Sequence, residues 1–245
     1  MLSGNVTLHP VNSGEAAKVR ACPERAQRVK CETSPTISVS NLVRGEIFSD
    51  SSTSVGMTQG MTIQTTRLIL APHLPRHLRA LIRSEEEFES IAGLRVAAGI
   101  RDQLLSASPD FMARLKNAKQ PDPWQFGFAV IHKIDNVLVG MCGFPGPPDA
   151  NGIAEIAYGI APSYQGRGYA TDVARALIGF AANDQRVKGI CAHTLAQANA
   201  STRVLEKCGF TKSGETIDPE NNLPIWRWER KINDEIRMTN DETNF

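Results

Sequence analysis

The segment from Tyr158 to Asp172 reads YGIAPSYQGRGYATD: a short apolar run, a Gln-Gly-Arg-Gly-Tyr-Ala loop, and the start of an amphipathic pattern. Apolar residues recur at Ala170, Val173, Ala174, Leu177, Ile178 and Ala181, the i, i+3, i+4 spacing of a helix with one buried face. The helix is expected to begin near Gly168. Its first-turn amides have no partner inside the helix, and the aligned peptide dipoles leave partial positive charge there, so an anion is the natural occupant. Gly166 and Gly168 allow the main chain to approach that anion with no Cβ in the way. Arg167 adds a full charge.

Two common phosphate loops are excluded by residue type. A P-loop needs Lys-Ser/Thr after its glycines, where this chain has Ala170-Thr171; a dinucleotide fingerprint needs a third glycine, where it has Thr171. What remains is Q-x-x-G-x-A, carried by Gln165, Gly168 and Ala170, with a plain strand-to-helix turn as the bland alternative. The motif resembles the acetyl-CoA diphosphate loop of the GNAT superfamily of N-acetyltransferases. Downstream, Val187 to Leu195 reads as a strand and Asn199 to Cys208 as a short helix, closed by Gly209 in the left-handed position with Phe210 beyond it. The string AHTLAQANASTRVLEKCGF, from Ala192 to Phe210, closely resembles the last block of the Rim-type branch, which modifies the N-terminal amines of ribosomal proteins. The resemblance runs from about Thr65 to Ile232.

Composition fits a soluble enzyme without identifying it. The chain has 245 residues, 41% of them hydrophobic, and a net charge of +1, enough for one substantial core and without a basic field for nucleic acid. No apolar run approaches the ~20 residues needed to span a bilayer. The five cysteines, Cys22, Cys31, Cys142, Cys191 and Cys208, lack C-x-x-C spacing, so neither a zinc site nor a disulfide framework is indicated, and a reducing cytoplasm is expected. His73 and His77 are four apart but lack the glutamate of H-E-x-x-H, and Pro75 lies between them; they read as helix-entry residues rather than metal ligands.

Organisation changes near residue 60. Residues 1–60 are rich in Ser, Thr, Gly and Asn with sparse apolar positions, so disorder is expected there, without a signal or transit peptide pattern. Met57 and Met61 are candidate alternative translation starts. Residues 61–232 form the expected domain and 233–245 a polar tail. Within the domain the order reads as a strand at Arg67 to Ala71, helices at Pro75 to Ser90 and Pro109 to Ala118, and a hairpin of Gln125 to Lys133 with Val137 to Phe144. A fourth strand at Ile153 to Ile160, the loop helix, the fifth strand, the short helix, and a final pair at Thr211 to Glu215 and Ile225 to Lys231 complete it. This α/β order makes the fourth and fifth strands parallel, joined by a right-handed crossover. The resemblance implies a mixed, mostly antiparallel central sheet in which those two strands splay, with the cofactor's arm in the gap.

Along the fourth strand, Glu155, Ala157 and Gly159 share one face, opposite Ile156, Tyr158 and Ile160. That face carries one carboxylate and otherwise little bulk, leaving room for an acyl arm. An ammonium must lose a proton before it attacks a thioester, and a carboxylate in a partly dry cleft can accept it. Glu155 is therefore the candidate general base, a role the resemblance also implies; an exposed strand carboxylate is the alternative.

The resemblance implies acetyl-CoA as cosubstrate, held by Ile160, Gln165, Gly166, Arg167, Gly168, Tyr169 and Ala170, with Asn199 and Ser201 near its arm or 3′-phosphate. Asn199 equally suits an N-cap. Leu205 stands where many members carry a proton-donating tyrosine, which leaves that role unassigned, and Cys208 reads as packing. Trp124 and Phe126 read as core residues, with an acceptor pocket as the alternative. Three functions stay open: acetylation of a protein N-terminus, acetylation of a small amine such as an aminoglycoside, polyamine or amino acid, and non-catalytic acyl-CoA sensing. A monomer or homodimer is expected, with no metal, nucleic acid or membrane partner.

Overall fold

Two sheets share one strand direction and then part, and that parting organises the domain. The computed structural model describes residues 61–218 and 222–233; the expected disorder of 1–60 and nearly all of the polar tail lie outside the described residues. In chain order, β1 (Ile63–Gln64) and β2 (Leu68–Pro72) lead to α1 (Pro75–Arg83), α2 (Glu85–Ala92), β3 (Arg95–Val96), α3 (Ile100–Leu105), α4 (Pro109–Asn117) and α5 (Pro123–Phe126). The hairpin of β4 (Phe128–His132) and β5 (Val137–Gly143) is followed by β6 (Ile153–Glu155), β7 (Ala157–Ile160), α6 (Tyr169–Ala182) and β8 (Gly189–Leu195). Last come α7 (Ala200–Lys207), β9 (Thr211–Ile217) and β10 (Pro224–Lys231).

The first sheet runs β1-β2-β4-β5-β3, with β7 also paired to β5; the second runs β6-β8-β10-β9. Pairing is antiparallel except for β3 with β5 and β6 with β8, the mostly antiparallel mixed sheet that was expected.

Three local expectations are corrected. The helix over Pro75 to Ser90 is two helices, because Ser84 is extended (φ −161°) and its hydroxyl caps the second by accepting from the Glu87 amide. Gln125 and Phe126 belong to α5 rather than to the hairpin, since the Asp122 carboxylate accepts from the Trp124 amide and starts a short helix. The strand over Ile153 to Ile160 divides at Ile156, whose amide donates to Cys191 O at 2.9 Å. Beyond that bond the chain leaves β8, and Ala157 to Ile160 pair instead with Gly143 to Gly140 of β5.

Helix α6 sits against the core as its spacing requires. Val173, Ala174, Leu177 and Ala181 are fully buried, and Phe180 meets Phe128 edge-on at 5.2 Å and Trp124 at 5.5 Å. Removing a fully buried leucine such as Leu177 to alanine costs about 2–5 kcal/mol, so this helix holds its N-terminus firmly.

Candidate active site

Gly168 caps α6 in the left-handed region (φ 84°), and Gly166 is left-handed as well (φ 74°). A side chain is strained at either position. The first amide bonding back is that of Thr171, to Gly168 O at 3.1 Å. Among the described residues the amides from Gly166 to Ala170 have no partner. A Cβ on Gly166 would meet nothing within 4 Å, so the loop is open on that side. Unpaired amides, open space and a helix N-terminus suit a diphosphate.

Side chains of the loop point elsewhere, which confines its grip to the main chain. Gln165 turns back, its Nε2 donating to Ile160 O at 2.8 Å. The guanidinium of Arg167 donates to Ser163 O at 3.0 Å and lies 5.4 Å from the Tyr164 ring centroid. Tyr169 is buried, with its hydroxyl 2.9 Å from His132 Nε2, and His132 in turn lies 3.0 Å from the Asp135 carboxylate. Asp135 also accepts from the Tyr164 hydroxyl at 2.8 Å, which holds its carboxyl below the usual range.

Beyond Ile156, β7 and β8 have no bonds to each other among the described residues. Ala161 N donates to Val139 O on β5; by strand alternation the amides of Tyr158 and Ile160 face the opposite side, into the gap. Helix α7 follows β8, and its C-cap Cys208 reaches Thr171 O in the first turn of α6. Asn199 is the N-cap of α7: Oδ1 accepts from Thr202 N at 3.0 Å while Thr202 Oγ1 accepts from Asn199 N, a reciprocal capping box. Ser201 lies in the first turn, half-buried.

Glu155 stands at the fork. Its Oε1 lies 2.8 Å from His193 Nδ1 on β8, and its side chain is 40% exposed, so the carboxylate is wetter than expected. Cys208 is buried and contacts Thr171 O; burial pushes its thiol up, consistent with packing. Tyr158 turns to the α6 side. Its buried hydroxyl has no partner among the described residues, and burial keeps it protonated by raising its pKa.

The profile of the family described as Acetyltransferase (GNAT) domain matches residues 67–211. The chain belongs to the GNAT acetyltransferase family. Over 102 residues it is 33% identical to the uncharacterized N-acetyltransferase YjdG of Bacillus subtilis, covering 41% of this chain and 58% of that protein. Over 93 residues it is 29% identical to the uncharacterized N-acetyltransferase p20 of Bacillus licheniformis, covering 38% and 52%. The matched part thus spans little more than half the length of these curated relatives. A solved Vibrio cholerae structure, provisionally described as a ribosomal-protein-serine acetyltransferase, shares the GNAT fold with a TM-score of 0.50 at 17% identity, over 71% of this chain and 99% of its own.

In this GNAT domain, Glu155 stands where β6 gives way to β7, Ile160 ends β7 just before the loop of Gln165 to Ala170, and Asn199 and Ser201 open the helix that follows β8. Missed in the sequence were Arg67, whose guanidinium donates to Arg167 O and to the Asp172 carboxylate, His193, which holds Glu155, and the orphan hydroxyl of Tyr158. For His193 a signal existed: pairing β6 with β8 in parallel puts Cys191 beside Glu155, and His193 follows on the same face. A cavity of about 290 Å³, whose lining includes Gln103, Phe111, Phe126, Met141 and Gly159, opens on the Ala157 side of β7. Trp124 packs on Phe144 with ring centroids 4.4 Å apart.

Proposed function

We propose that the protein is an acetyl-CoA-dependent N-acetyltransferase whose acceptor is a primary amine, a protein N-terminal amine first among the candidates, with Glu155 as general base. The observation that carries this reading is the gap between β7 and β8, which ends in a row of unpaired loop amides and has Glu155 at its fork. Such a gap fits a diphosphate at one end and an extended, amide-bearing arm along two unpaired strand edges. The names of the two Bacillus relatives support acetyl transfer to nitrogen.

Bound acetyl-CoA supplies a thioester whose carbonyl carbon accepts the amine. The loop amides from Gly166 to Ala170 would hold the diphosphate, with the Tyr158 and Ile160 amides binding the arm. Asn199 and Ser201 would close the loop end. Glu155 takes a proton from the acceptor ammonium, directly or through water, and His193 fixes the orientation of that carboxylate. The protonated Tyr158 hydroxyl is the candidate donor to the departing sulfur. Buried free thiols at Cys142, Cys191 and Cys208 support a reducing, cytoplasmic setting.

The test is thiol release from acetyl-CoA against a panel of peptides and small amines, for wild type and Glu155→Gln. Turnover with at least one amine, reduced 10²–10⁴-fold in kcat by the substitution while coenzyme A still binds, is expected. Coenzyme A binding without turnover on any amine would favour a sensor instead.

A further inference from the structure

We propose that the cavity beside Gly159 is the acceptor pocket and that it takes an amine borne next to one uncharged, apolar side chain, the first residue of a peptide, while rejecting polycationic amines. This assignment rests on the acetyltransferase reading above and narrows its acceptor. Ala157 and Gly159 line the cavity and share a strand face with Glu155. Two residues of strand, about 7 Å, separate Glu155 from Ala157, so an amine at the cavity's edge lies within reach of that carboxylate.

Charge is what the lining lacks. It contains Leu104, Phe111, Phe126, Met141, Phe144 and Pro145 and, among the described residues, no Asp, Glu, Lys or Arg. Its polar members include His73 and Gln103. His73 is 3% exposed, and its Nε2 has no partner among the described residues; burial, with His77 nearby, lowers its pKa to about 3, so the ring is neutral. Gln103 lies directly over the strand, since a Cβ on Gly159 would stand 2.6 Å from its Oε1. Gln103 and Gln125 place neutral amide groups in an otherwise apolar wall, which suits a peptide amide.

A polyamine or an aminoglycoside would bring further ammonium groups against an apolar lining with no carboxylate among the described residues to pair with them, so its extra charges lose hydration without gaining a partner. The volume, about 290 Å³, matches about ten waters, room for a single amino-acid side chain and its first peptide bond.

The test compares kcat/KM for thiol release with tetrapeptides beginning Ala, Leu, Lys or Asp, and with spermidine and kanamycin, using the full chain. The Ala and Leu peptides should lead the charged acceptors by at least tenfold. Gln103→Glu should move the ratio of spermidine to Leu peptide at least tenfold toward spermidine, and should weaken calorimetric binding of the N-acetylated Leu peptide to coenzyme A-saturated protein. Ala157→Asp, at an exposed position, makes the same change in charge should Gln103→Glu not fold. A wild type that prefers spermidine, or a ratio unmoved in the folded variants, overturns the pocket assignment and leaves acetyl transfer standing. Coenzyme A binding with no turnover on any amine overturns both.

Discussion

Arg67 and Asp172, 105 residues apart in sequence, are joined at 2.8 and 3.0 Å through two guanidinium nitrogens on one carboxylate oxygen. The third nitrogen of Arg67 donates to Arg167 O at 2.6 Å, and the guanidinium lies 4.7 Å from the Tyr169 ring centroid. In a trans peptide the carbonyl and the next amide point in opposite directions, so anchoring Arg167 O aims Gly168 N–H away from Arg67. Arg67 thus orients the amide row without itself needing to touch an anion.

Arg67→Ala should raise the Kd for coenzyme A about 10- to 100-fold, the worth of the lost charge-assisted bonds. Thermal stability should change little, because Arg67 is 41% exposed and such pairs contribute modestly. With S-acetylpantetheine, which has no diphosphate, kcat/KM should stay at the wild-type level, and Arg67→Lys should restore affinity only in part. An equal loss with both donors would mean general damage instead.

His193→Phe removes the partner of Glu155 at 2.8 Å while leaving the carboxylate in place. Turnover should fall about tenfold or more with coenzyme A affinity unchanged, since only the acceptor's proton path is disturbed. Wild-type kcat in this variant would assign the contact to the surface alone.

The buried hydroxyl of Tyr158 calls for a partner that arrives with substrate. Tyr158→Phe should lower kcat with little change in acetyl-CoA KM, and should not lower the melting temperature, because no bond within the described residues is lost. An unchanged kcat would remove Tyr158 from the chemistry.

Burial lowers the pKa of His73 to about 3; burial, followed by the charge of Arg76, lowers that of His77 to about 4. The unfolded chain takes up protons near pH 6.5 while the folded chain does not, so their stabilisation is complete above that pH and is lost as pH falls toward 4. Each contributes a slope of up to about 1.4 kcal/mol per pH unit in that window. The urea midpoint should drop clearly between pH 7.5 and 5.0, and less steeply in His77→Leu. A midpoint independent of pH would contradict the burial of both rings.

The loop, its helix, the parallel β6–β8 pair and the Glu155 face were legible because each follows from local periodicity or a short motif. The break at Ile156 was not, since the one glycine of IAEIAYGI, Gly159, lies inside β7 and no turn residue marks the break; the split comes from two competing strand partners, Cys191 on one side and Gly143 on the other. Nor was α3, at six residues too short for its period to stand out. Arg67 entered the site through a contact across 105 residues, which no local pattern encodes, and His193 through the β6–β8 register. The sequence also expected side-chain charge from Arg167, but its guanidinium is spent on Ser163 and Tyr164.

Calorimetric titration of the full chain with coenzyme A tests the central claim most directly, because it reads the grip of the Gly166 to Ala170 amides without any acceptor. One site per chain with a Kd on the order of micromolar, about −8 kcal/mol, is the predicted result. No heat of binding up to millimolar coenzyme A would contradict it.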